Sequence, residues 1–239
     1  MKVAAETLSL ITVFRDLDIK QRRRLAESMS VRRYLAKCQV IAQESDSTDV
    51  FFVVSGQVRA TVYSKTGKEV SFQDLGAGDM FGELAAIDEE PRSNDVVTLA
   101  DSVIASMSKE DFWSALLHYP SVTRHTLRRL TKLVRTHSER IIEYGTLGVK
   151  NRIHAELLRM ARSESDNDRD VEIATPLTHA EIASRVATHR EAVTRECRHL
   201  EEIGLIEWHP GRHVIKDVAA LERMVNEVRG RQSASSVTP

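Results

Sequence analysis

The chain has 239 residues, enough for two modest domains, and its 41% hydrophobic and 29% charged residues are those of an ordinary globular protein. No apolar run approaches the ~18 residues a membrane span needs, and Met1 to Glu6 lacks both a hydrophobic region and a cleavage site, so we expect a cytoplasmic protein with no membrane partner. With 34 Lys and Arg against 35 Asp and Glu, a net charge of −1, any case for a nucleic-acid partner must rest on where the charges sit.

Residues 7–35 read as helical, with Leu8, Leu10, Ile11, Phe14, Leu17, Leu25, Ala26 and Met29 as the apolar positions and Arg22-Arg23-Arg24 as a solvated face. From 38 to about 108 the pattern changes to short apolar or alternating runs broken by turns. Examples are Val50–Val54, Val58–Tyr63, Val70–Phe72 and Val103–Met107, with Ser64-Lys65-Thr66-Gly67-Lys68 as a hairpin turn. Such spacing predicts a sandwich or a rolled antiparallel barrel.

Late in this region comes Phe81-Gly82-Glu83-Leu84-Ala85-Ala86-Ile87-Asp88-Glu89-Glu90-Pro91-Arg92-Ser93. These are the groups needed to hold a phosphorylated sugar. Glu83 can accept from a ribose hydroxyl, and Arg92 offers a fork of charge-assisted donors to a phosphate. Gly82 lets backbone N–H groups approach an anion without a Cβ in the way. Taken alone, the stretch also fits a turn followed by a surface arginine.

Ser108 with Asp111 resembles a helix start, and Pro120-Ser121 begins a second, longer helix. Along it Leu127, Leu130, Val134, His137, Ile141 and Tyr144 fall at alternating intervals of three and four, a heptad seam. Leu133 and Ile142 form a second apolar edge, expected to pack on the rolled barrel. Gly145 and Gly148 each cost a helix ~1 kcal/mol relative to alanine, so 144–148 reads as a hinge between a domain at 1–144 and one at 145–239.

A further helix over 149–162 leads into an acidic loop, 163–170. Thr178-His179-Ala180-Glu181 is a capping box opening a helix over Ile182, Ala183 and Val186, and Thr188-His189-Arg190-Glu191 repeats it ten residues on. Two such helices with a turn near Ala187 predict a helix-turn-helix. On the second helix Val193, Cys197 and Leu200 share a core face. Arg190 stands at the exposed start, and Glu191, Thr194, Arg195 and Arg198 line the polar face, where arginine forks suit guanine and a carboxylate suits cytosine. Glu191 also has a capping-box role. The charges of 178–216 balance, Arg185, Arg190, Arg195, Arg198, Arg212 and Lys216 against Glu181, Glu191, Glu196, Glu201, Glu202 and Glu207. Leu205–Trp208, Pro210-Gly211 and His213–Ile215 predict a two-stranded wing, and 230–239 reads as a disordered tail.

The two cysteines, Cys38 and Cys197, make neither a disulfide framework nor a metal quartet, and His209 with His213 does not complete a site, so no metal is expected. No nucleophile–base pair or Walker loop is present, so no enzyme is expected.

Val53-Val54-Ser55-Gly56-Gln57-Val58, Leu75-Gly76-Ala77-Gly78-Asp79-Met80 and the 81–93 stretch together resemble the β-roll and phosphate-binding cassette of cyclic-nucleotide-binding domains. Residues 178–216 resemble the DNA-binding end of the CRP/FNR family of bacterial regulators. The resemblance implies an α+β protein. It has an N-terminal antiparallel β-roll of jelly-roll type, a long dimerisation helix at about 119–144 and a C-terminal winged helix-turn-helix. It also implies a homodimer that binds cyclic AMP, or cyclic GMP, through Gly82, Glu83, Leu84, Ala85, Arg92 and Ser93. The family reaches the purine with two adjacent hydroxyls on the dimer helix; here His137 and Ser138 occupy those positions, and Leu133 replaces a family arginine. The DNA contacts implied are Thr178, His189, Arg190, Glu191, Thr194, Arg195 and Arg198, on a palindromic TGTGA-like operator, with RNA polymerase as a further partner and allosteric control by the ligand. Two rivals stand beside this reading: a family member sensing haem, a gas or another small ligand, and a cyclic-nucleotide-binding regulatory subunit of an enzyme.

Overall fold

Runs of β-branched and aromatic residues between tight turns fold into three antiparallel sheets in a computed structural model, which describes residues 4–63, 69–209 and 211–230. The turn expected at Ser64–Lys68, Pro210 and the tail from Arg231 lie outside the described residues. The chain divides into two compact units, 1–134 and 135–239, a boundary ten residues before the one expected from the glycines.

In the first unit, 3₁₀ turns at Thr7–Leu10 and Thr12–Phe14 precede helix α1 (Ile19–Glu27), whose Asp18 forms a capping box with Gln21. The expected helix over 7–35 is therefore only partly formed, because Met29–Tyr34 is strand β1. Val31 and Tyr34 suit an extended edge, and pairing with a neighbouring strand overrides the helical preference of the arginines. Strands β2 (Gln39–Ile41), β3 (Val50–Ser55), β4 (Gln57–Tyr63), β5 (Glu69–Gly76) and β6 (Met80–Phe81) follow, then short helix α2 (Glu83–Asp88), β7 (Asp95–Thr98) and β8 (Ser102–Met107). The sheets run β1-β8-β3-β6 and β2-β7-β4-β5. Ile41, Val53, Val58, Leu75, Phe81, Val96 and Ile104 pack together as one core. A second core beneath the roll gathers Leu8, Phe14, Phe52, Met107 and Phe112. Phe52 is fully buried, which stabilises the unit by ~1.5–3 kcal/mol relative to an exposed ring.

Helix α3 (Lys109–His118) is capped by Ser108, whose hydroxyl accepts from the Asp111 N–H, as expected. Helix α4 (Pro120–Thr146) runs through Gly145, and the break falls at Leu147–Gly148 before α5 (Val149–Glu164). Leu133 is half-buried, but Ile142, expected to pack, is 61% exposed.

In the second unit Arg169–Ile173 is strand β9, so the acidic loop is shorter than expected. Helices α6 (His179–Arg185) and α7 (Arg190–Glu202) make the helix-turn-helix, and β10 (Ile206–His209) and β11 (Arg212–Asp217) the wing. The wing sheet has three strands, β10-β11-β9, because Val171 and Ile173 pair with Ile215 and His213. Helix α8 (Val218–Arg229) closes the unit, whose core includes Ile153, Leu157, Ile182, Val193, Cys197 and Leu200.

Candidate functional site

Two sites emerge, one in each unit. The first is built around Gly82, which starts α2 with φ +79°. A Cβ at this position would sit 2.7 Å from Arg92 Nη1 and 3.1 Å from the Asp49 carbonyl, so the left-handed turn and the close approach both require glycine. Glu83 and Arg92, at 3% and 2% exposure, are both buried here, where charged groups persist only when paired. Arg92 donates through Nη1 to the Gly82 carbonyl at 2.6 Å, through Nη2 to the Asp49 carbonyl at 2.7 Å and through Nε to Ser47 Oγ at 3.0 Å. Its guanidinium also lies 5.7 Å from the centroid of Phe51, which stacks on Phe81. Burial pulls the Arg92 pKa below its ordinary value, while the Asp49 and Glu83 carboxylates act the other way.

Glu83 Oε1 accepts from Arg129 Nε on α4 at 3.2 Å. Sequence reading missed Arg129: it lies 46 residues from Glu83, and only the phase of α4 brings it there. Its one signal was position, a turn before Leu133 on the same helix face. Ala85 is buried, Leu84 is 41% exposed and Ser93 is exposed. His137 and Ser138 are exposed on α4.

The second site is the outer face of α7. Arg190, Glu191, Thr194, Arg195 and Arg198, with His199 and Glu202, line one open recess. Thr178 forms the expected capping box with Glu181. The second box does not form: His189 is the N-cap of α7, without a side-chain cap bond, and the Thr188 N–H turns back to the Ala183 carbonyl. Glu191 is thereby released from its structural role and is exposed, as are Thr178, His189, Arg190, Arg195 and Arg198. Thr194 is half-buried, and its hydroxyl donates to the Arg190 carbonyl. Cys197 is buried, and burial pushes its thiol up to about 12, which removes it from thiolate chemistry at neutral pH.

An unanticipated ionic cluster occupies the root of the second unit. Glu156 on α5 is 1% exposed and pairs with Arg140 of α4, Arg185 of α6 and its neighbour Arg159. Glu143 of α4, 5% exposed, pairs with Arg159 and with Arg229 of α8. Tyr144 donates to the Arg185 carbonyl at 2.7 Å, and Arg152 donates to the carbonyls of Leu147, Val186 and Ala187. The end of α4 is thus tied to the turn of the helix-turn-helix, where Ala187 holds φ +51°.

Residues 31–119 match the cyclic nucleotide-binding domain family and residues 151–224 the Crp-like helix-turn-helix domain family. These define a class: a DNA-binding transcription regulator carrying a cyclic-nucleotide-binding domain. The Cyclic AMP receptor protein of Thermus thermophilus is 29% identical over 204 residues, covering 84% of this chain and 90% of its own length. The cAMP-activated global transcriptional regulator CRP of Haemophilus influenzae is 28% identical, covering 75% and 80% respectively. In fold, a CooA mutant from Carboxydothermus hydrogenoformans is similar with a TM-score of 0.74 at 20% identity, over 85% of this chain and 90% of that one. The chain belongs to the CRP/FNR family of transcription regulators.

Proposed function

We propose that this regulator is a cytoplasmic homodimer gated by a cyclic nucleotide, cyclic AMP first and cyclic GMP second, that binds a palindromic TGTGA-like operator and works with RNA polymerase. The observation that carries the ligand assignment is the burial of Glu83 and Arg92 around Gly82: one acceptor and one cation beside the same glycine match a ribose and a cyclic phosphate. Glu83 is neutralised by Arg129, so Arg92 supplies the positive charge that a phosphodiester needs. Gly82, Leu84, Ala85 and Ser93 complete this cassette.

The dimer is supported by Leu127, Val134 and Ile141, spaced by seven and 58%, 66% and 71% exposed, an apolar stripe suited to a second copy of the helix. His137 and Ser138 flank this stripe and would reach the purine there. Gly145 and Gly148 would act as the hinge between ligand and DNA domains. Thr178, His189, Arg190, Glu191, Thr194, Arg195 and Arg198 would contact DNA.

Calorimetric titration with each cyclic nucleotide, with and without a TGTGA-type duplex, tests the reading. We expect saturable heat for at least one nucleotide and tighter duplex binding in its presence. Heat from neither would overturn the ligand assignment, and a Soret band in the purified protein would replace it with haem sensing.

A further inference from the structure

The reading head contains an aromatic stack that the DNA-facing side chains do not account for. Trp208 of β10 contacts two histidines: His213 of β11 stacks on the indole with ring centroids 3.5 Å apart, and His179 of α6 tilts against it at 4.9 Å. Hydrogen bonds fix the tautomer of each imidazole. His213 Nε2 lies 3.0 Å from the Leu177 carbonyl, which only accepts, so Nε2 carries the hydrogen and Nδ1 is bare. Thr194 gives its single hydroxyl hydrogen to the Arg190 carbonyl, so it accepts from His179 Nδ1 at 3.0 Å, leaving His179 Nε2 bare. Both bare nitrogens are buried without a hydrogen-bond partner. At His179 a neutral imine nitrogen tolerates that position, whereas a proton there becomes a buried cation with no acceptor.

The surrounding charges do not relieve it. From α7, Arg190 and Arg198 oppose a charge on His179 and Glu201 favours one; His213 opposes it from β11. The Glu201 carboxylate already accepts the Trp208 backbone N–H at 3.0 Å. On the hairpin Glu207 pairs with Lys216, and Arg212 pairs with Glu172 of β9. Glu181 of α6 is held by Thr178.

We infer that the His179–Trp208–His213 stack is a proton-sensitive latch: with His179 neutral it holds the wing and the first helix of the motif against Thr194 of the recognition helix, and protonation of His179 releases it and weakens DNA binding. Burial first, then the charges of His213 and Arg190, hold the His179 pKa below the ordinary 6.5. A histidine kept neutral in the fold contributes its full stability above that value and loses it as pH falls below it, so the effect lies on the acid side of neutrality.

The test uses the full chain carrying Trp113→Phe, which leaves Trp208 as the single indole. His179→Asn keeps a donor near Nδ1 and His213→Gln one near Nε2, and neither replacement titrates. Because protonation releases the stack and uncovers more of the half-buried indole, Trp208 emission should shift to longer wavelength between pH 7.5 and 5 in the parent and stay nearly unchanged in the double variant. Over the same range the parent should lose roughly three- to tenfold more affinity for a TGTGA-type duplex than the variant. His189, His199 and His209 are common to both proteins, so their added charge cancels in the comparison. Constant emission from the folded parent overturns the latch without recourse to any variant, and so does an identical pH dependence of DNA affinity in both. The DNA arm rests on the proposed operator class, but the emission arm does not. A parent that binds no duplex at pH 7.5 would refute the operator reading rather than the latch.

Discussion

Arg92 is committed to the protein three times over, to Ser47, Asp49 and Gly82, and still has one N–H on each terminal nitrogen. Replacing it with alanine removes the cassette's cation, and cyclic-nucleotide binding should weaken by ~1.5–3 kcal/mol, roughly tenfold to a hundredfold. Arg92→Lys should fall between, since it keeps the charge and loses the fork. Titration calorimetry reads both, and affinity within twofold of the parent would show that the cassette does not hold phosphate. Glu156 makes a second prediction. Burial would raise its carboxyl, but Arg140, Arg159 and Arg185 more than offset that and hold it below 4.5. A carboxylate with a depressed folded pKa adds stability above its unfolded value and loses it as pH falls through the folded one. The thermal midpoint of the second unit should therefore drop steeply below pH 4.5, and Glu156→Gln should flatten that slope while lowering the midpoint at pH 7. A parallel pH profile for the two proteins would refute the assignment.

At the scale of elements, α7 makes the sharpest prediction. Arg195→Ala should cost ~1–3 kcal/mol and relax preference at a single base pair, whereas loss of a phosphate contact weakens all sequences alike. Binding selections on randomised DNA separate the two, and unchanged base preferences would move Arg195 to the DNA backbone. The reach of sequence reasoning follows the range of each interaction. The roll was legible because its strands alternate apolar and polar residues between turns, and the first capping box because hydrogen bonds within a few residues write it. Strand β1 was not, because its partner β8 lies some seventy residues away and its arginines fit a helix equally well. Strand β9 hid in an acidic stretch for the same reason. The second capping box shows the opposite failure, since the local pattern is present but the turn at Ala187 shifts the N-cap onto His189. Arg129 and the cluster around Glu156 escaped because a helix's charges declare their partners only once its phase is known.

For the molecule as a whole, a ligand-gated regulator must obey reciprocity. Whatever factor the nucleotide adds to DNA affinity, DNA must add to nucleotide affinity, typically five- to 150-fold. Two calorimetric titrations, each with the other partner saturating, check this, and nucleotide affinity indifferent to operator DNA would rule out gating.

The arginine-rich root of the second unit has a consequence for the choice of denaturant. Guanidinium chloride is a free copy of the group that Arg140, Arg159, Arg185 and Arg229 present to Glu143 and Glu156, so it competes for those carboxylates as well as solvating the chain. Ordinary domains need roughly twice as much urea as guanidinium chloride to unfold. Trp208 emission, reporting on the second unit, should show a urea midpoint well beyond twice the guanidinium one, while Trp113 in the first unit keeps the usual ratio. Sodium chloride added to urea at matched ionic strength should recover only the screening part of that gap, leaving the remainder as direct competition by a solvent ion imitating a side chain.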